Sequence, residues 1–91
     1  MKDEMVEKEL VGRVTHYFQK IGVAVVELKG DVKVGDKISI EGATTSFKQV
    51  LDSMEIDNEK IEVATAGQSI GLKLKGKVRA HDSVYRIMDD V

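Results

Sequence analysis

Polar and apolar positions alternate most cleanly from Asp36 to Glu41, where Ile38 and Ile40 are separated by Lys37, Ser39 and Glu41. A period of two turns one face of a strand inward and leaves the other in water. Gln68 to Lys75 repeats the pattern with Ile70, Leu72 and Leu74 against Gly71, Lys73 and Lys75. Leu10 to Tyr17, Val23 to Leu28 and Val84 to Ile87 have the β-branched content of further strands, with poorer alternation. Glycine punctuates these runs at positions 12, 22, 30, 35, 42, 67, 71 and 76. The pattern predicts an all-β domain with Val14, Val25, Ile38, Ile40, Met54, Ile70, Leu72 and Leu74 inside. Strands this short and this numerous suggest a small closed antiparallel barrel, because closure removes the open edges.

One segment carries a competing signal. Phe47, Val50, Leu51 and Met54 recur at helical spacing, and Ser46 followed by Gln49 resembles a capping box. A bent strand over the same residues needs a break near Asp52 to bring Val50, Met54 and Ile56 together. The residues alone leave both open.

The chain has 91 residues, enough for one domain and too few for two cores. Residues 1–8 are acidic and poor in apolar side chains, predicting a flexible leader ahead of a single domain over 9–91. The 14 Lys+Arg and 16 Asp+Glu give a net charge of -2, without the bulk cationic pull of a non-specific nucleic-acid binder. No cysteine is present, so disulfides, thiolate chemistry and cysteine-held metals are excluded. The N-terminus lacks the basic-then-apolar plan of an export signal, and the Ile21–Val26 run is far too short to span a bilayer. A cytoplasmic protein with no membrane partner is expected.

Val34-Gly35-Asp36-Lys37-Ile38, Met54-Glu55-Ile56, Ala66-Gly67-Gln68-Ser69-Ile70-Gly71 and the stretch from Arg79 to Tyr85 together resemble the second domain of translational GTPases of the elongation factor Tu kind. The spacing from Glu55 to Ala66 is part of that likeness. Thr15-His16-Tyr17-Phe18, Ile21-Gly22-Val23-Ala24-Val25, Thr44-Thr45-Ser46-Phe47 and Val84-Tyr85-Arg86-Ile87 look closer to two relatives. These are the small translation elongation factor-like proteins and the C-terminal barrel of the collagenase-like peptidase family. The resemblance spans about residues 9–88. It implies a closed barrel of six or seven strands, of the translation-factor second-domain type, and makes Phe47 to Asp57 a bent strand. It also implies a turn role for His81, since glycine often stands before the matching Asp in relatives, and histidine tolerates positive φ.

Little in the chain suggests catalysis, and no enzyme is expected. There is no Gly-rich phosphate loop, so no nucleotide is expected. His81, Asp82 and Ser83 are consecutive, which places a nucleophile, base and orienting acid badly. His16 and His81 lack ligand spacing, so no metal or other cofactor is expected. Charge is uneven: residues 73–86 hold five Lys or Arg against one Asp, and residues 52–62 hold five acids against one Lys. Lys73, Lys75 and Lys77 share one parity, predicting a basic row that Arg79 extends. With one ring from Tyr17 or Phe18, such a row suits a phosphate backbone or an acidic protein surface. Asp57 and Asn58 stand where elongation factor Tu typically has an aromatic and an arginine, which removes its surface for the aminoacyl end of tRNA. Two partners follow for a monomeric, non-catalytic module. The first is structured RNA, such as tRNA or the ribosome. The alternative is a protein, with the chain acting in trans as the accessory barrel of a collagenase-like peptidase.

Overall fold

The computed structural model describes residues 7–88 of the chain. These form ten strands and no helix. In chain order they are β1 (Glu7–Phe18), β2 (Val23–Leu28), β3 (Val32–Lys33), β4 (Lys37–Glu41) and β5 (Ser46–Val50), followed by β6 (Met54–Ile56), β7 (Glu59–Ile61), β8 (Val63–Ala64), β9 (Ser69–Lys73) and β10 (Ser83–Met88). Eight lie in one antiparallel sheet in the order β5-β4-β10-β1-β2-β9-β6-β7, and β3 pairs with β8 separately. The count exceeds the six or seven expected because β3, β7 and β8 are only two or three residues long. Residues 1–6 of the expected leader lie outside the described residues. Its last two positions already belong to β1, and the Lys8 ammonium reaches the Glu41 carboxylate at 2.8 Å.

β1 is long because it serves both halves of the sheet, pairing with β10 along its first part and β2 along its second. Each ladder slips once, at Val11 and at Thr15. An extra residue turns the pleat locally, so Val11 and Val14 are both buried although they are three apart. The poor alternation in Leu10 to Tyr17 is the trace of these two bulges. Gly12 sits between them with Val26 pressed against its Cα, where a Cβ would lie 2.7 Å from a Val26 methyl.

The helical signal at Phe47 gives way to β5, a break at Leu51–Ser53 and β6. The break carries the chain from one edge strand of the sheet to the far side, where β6 pairs with β7 and β9. A three-residue link spans little more than ~10–14 Å, so the two ends of the sheet must approach each other there. Among the described residues no strand pairing closes them into a barrel. A side chain bridges the gap instead. Gln49, 8% exposed, donates from Nε2 to the Lys73 carbonyl at 3.2 Å and accepts at Oε1 from the Lys75 N–H at 2.8 Å.

Seven of the eight expected core residues are buried, with Val11, Ala24, Val26, Leu28, Leu51, Val78 and Val84 among those added to them. Val25 is the exception. β2 is unbroken and in regular register with β9, where Ala24 faces Leu72 and Val26 faces Ile70, so Ala24, Val26 and Leu28 point inward and Val23 and Val25 are half-exposed on the outer face.

Candidate functional site

The end of the molecule formed by the β1–β2 turn brings together Tyr17, Phe18, Lys20, Lys77 and Arg79. The turn closes through Phe18 O, which accepts from Ile21 N–H and Gly22 N–H, and Gly22 takes φ 68. Two other turns meet it. One runs from Gly42 to Thr45, hydrogen-bonded both ways. The other runs from Arg79 to Asp82, and Asp82 organises it. Only 5% exposed, the Asp82 carboxylate accepts from Arg79 N–H at 2.9 Å. Its main chain is tied to β1 by Val14 N–H to Asp82 O at 2.8 Å. His81 N–H donates to Val14 O at 2.7 Å, with His81 at φ 79, the turn role its resemblance implied. Gly42 packs directly on the Asp82 carboxylate, leaving no room for a side chain.

These three turns enclose a cleft of about 410 Å³ between Tyr17, Gln19, Thr44, Thr45, Lys77 and Arg79. Every polar side chain on its wall can donate a hydrogen bond, and none is a carboxylate. It opens beside a wider hollow of about 700 Å³ along His16 to Ile21. Of the expected site residues, Tyr17, Lys77 and Arg79 meet in the cleft, while Phe18 lies in the hollow, its ring 4.3 Å from that of His16 and edge-on to it. Of the two adjacent rings Phe18 faces outward, 46% exposed, and Tyr17 packs against the core.

Lys73 and Lys75 do not line this cleft. β9 ends at Lys73, where Leu74 N–H turns to Gly22 O and Lys75 N–H to Gln49. Gly76 then lies against the Phe47 ring, and the chain continues off the sheet. Parity is guaranteed only within a strand, and β9 ends at Lys73, so alternation alone does not fix the face of Lys75, Lys77 and Arg79. Thr44, Thr45 and Gln19 were not among the expected site residues; short polar residues in turns carry no binding signal until the turns meet.

The acidic hairpin β6–β7 lies at the far edge of the sheet, with Glu55 opposite Lys60. Asp57 at φ 53 and Asn58 at φ 68 form its two-residue turn, the geometry a tight hairpin of this hand requires. These two positions thus serve the turn. Among the described residues no three His, Asp or Glu gather as a metal site.

Residues 7–84 match the peptidase family U32 C-terminal domain. The chain belongs to this family. It is 39% identical over 82 residues to an uncharacterised protease of Methanocaldococcus jannaschii, covering 89% of this chain and 20% of that protein. It is 38% identical over 82 residues to a collagenase of Porphyromonas gingivalis, covering 88% of this chain and 23% of the collagenase. The chain thus spans about a fifth of the length of these relatives. Two crystal structures of the C-terminal domain of a U32-family protein from Geobacillus thermoleovorans share the fold. Their TM-scores are 0.79 and 0.81 at 22% and 21% identity, covering 84% and 89% of this chain and 96% and 93% of theirs. The collagenase-like branch of the resemblance is therefore the supported one, and these relatives give the elongation factor branch no support.

Proposed function

We propose that the chain is a non-catalytic, protein-binding accessory domain that serves the catalytic body of a collagenase-like peptidase, in trans where the two are separate chains. The observation that carries this reading is the family match over residues 7–84 to a C-terminal domain that makes up only a fifth of its relatives. The test is calorimetric titration of the chain into a U32 peptidase body lacking its own C-terminal segment, with gelatin cleavage followed in parallel. Binding with a Kd of about 10 μM or tighter, and no cleavage by the chain alone, is the expected result. Absence of binding at ten times that concentration overturns the reading.

A second reading is favoured by one observation, the carboxylate-free cleft between Tyr17, Lys77 and Arg79. Two cations beside a ring suit a phosphate-bearing strand, and structured RNA is the polymer in question. Affinity for bulk tRNA would then fall steeply with salt, and Lys77→Glu or Arg79→Glu would flatten the slope by about one contact each. Lys73→Glu and Lys75→Glu, outside the cleft, would leave it unchanged. No shift at low salt ends this reading.

A further inference from the structure

β2 is apolar on both faces. Ala24, Val26 and Leu28 point into the core, yet the outer positions Val23 and Val25 are valines too, and only Glu27 is polar. An antiparallel strand with one wet face alternates, and a strand apolar on both sides is the pattern of one covered twice. The register extends the outer apolar surface sideways. Phe18, Val23 and Lys73 form one cross-strand row over β1, β2 and β9, and His16, Val25 and Gly71 form the next. Gly71 has no side chain to screen Val25, and a Val23 methyl lies 3.4 Å from where its Cβ would stand, so the valines cover this stretch of β9. Beyond Phe18 the turn presents Ile21, 58% exposed.

We infer that this outer face of β1, β2 and β9, centred on Phe18, Ile21, Val23 and Val25, is the surface by which the domain docks on the body of a U32-type peptidase; the inference rests on the accessory-domain reading above. An aromatic ring ringed by aliphatic side chains is the composition of an interface anchor. The occupant follows from two facts. In the relatives most of the chain lies outside the matching segment, so each such domain is accompanied by a larger body. The rim nearest Phe18 and Ile21 is cationic, with Lys20 beside the turn and Lys73 at the end of the row. A second copy set symmetrically about Phe18 would bring these like charges together, whereas a partner with an apolar centre and carboxylates at its edge is complementary.

The chain has no cysteine, so single introduced thiols report the face directly. Phe18→Cys, and Ile21→Cys as a second reporter, replace exposed side chains; Lys48→Cys on β5 is the control. Maleimide labelling is timed in the isolated chain and in a full-length chimera in which this chain replaces the matching segment of the Methanocaldococcus jannaschii protease, its folding verified by cooperative heat unfolding. The Phe18→Cys and Ile21→Cys variants are expected to label at least tenfold more slowly in the chimera, with the Lys48→Cys control unchanged. Protection of the control thiol alone would overturn this face and leave the accessory-domain reading standing. Equal rates at all sites overturn the docking surface, while the titration above judges the function separately. Protection of the Phe18→Cys thiol in the isolated chain that grows with its concentration would assign the face to a second copy and overturn the proposal as well.

Discussion

Glu41 is held by two donors, the Lys8 ammonium at 2.8 Å and the Ser39 hydroxyl at 2.9 Å, and these pull its carboxyl below the ordinary value of 4.5, Lys8 first and Ser39 second. Both donors favour the charged form, so the folded value is the depressed one. The stability this gives is present in full above the unfolded value and is lost as pH falls through the folded one. Because both partners of the ion pair are about a third or more exposed, solvent screens it and the contribution is small. Glu41→Gln is expected to lower stability slightly at pH 7, where the contribution is present in full, and to flatten the acid limb below about pH 4.5 by the same small amount, when urea midpoints are compared across pH. An acid limb as steep as that of the parent chain would show that Glu41 is not the group responsible. His81 illustrates what a single position can disclose. A non-glycine residue at φ 79 costs on the order of 1–3 kcal/mol, and it persists here because Asp82 and Val14 fix the turn on both sides. The residue types showed that His81 tolerates this geometry, but the close packing of Asp82 against Gly42 joins positions forty residues apart and is visible only in the fold.

At the scale of elements, β4 and β9 were legible because their two-residue alternation is unbroken, with Ile38, Ile40, Ile70 and Leu72 all buried. β1 was blurred by its two bulges, and the register of β2 with β9 puts Val25 on the outer face. A strand's phase is set by its partner's register, which a single run of residues does not encode when both faces are apolar. The helical spacing at Phe47, Val50, Leu51 and Met54 competed with the bent strand that the resemblance implied, and the structure has the bent strand. Leu51 and Met54 flank the break between β5 and β6, so their burial reflects a change of direction and not a helical face. The assignment of phase can be tested by comparing Leu72→Ala with Val25→Ala in chemical denaturation. Leu72, 2% exposed, should cost about 2–5 kcal/mol through lost contacts and a cavity. Val25, half-buried on the outer side, should cost less than about 1 kcal/mol. Equal costs would mean that β2 and β9 do not turn the faces seen here toward the core. The parity argument for the basic row likewise runs past the end of β9, where alternation no longer fixes a face.

For the whole molecule, the decisive feature is how the two ends of the sheet meet. β5 is one edge and the β6–β7 hairpin the other, and the chain itself joins them through Leu51–Ser53. Leu51 N–H donates to Asp36 O and Leu51 O accepts from Gly35 N–H, which fastens the break to the turn before β4. Across the remaining gap Gln49 does what a further strand residue would do, donating to one main-chain group and accepting from another two residues on. Its replacement by Met keeps the volume and removes both bonds, leaving the Lys73 carbonyl and the Lys75 N–H unpaired in a site that is almost closed to water. An orphaned buried group costs about 1–3 kcal/mol, so Gln49→Met should lower stability by roughly 2–5 kcal/mol if both groups stay dry. Hydrogen exchange separates the seam from the core: the Lys75 amide should exchange much faster in the variant, while the amides of β1 and β10 at the middle of the sheet should accelerate only as far as global stability falls. A uniform acceleration at all these amides, with Lys75 no different from β1, would show that the sheet ends are held by packing alone and that the glutamine bridge is incidental.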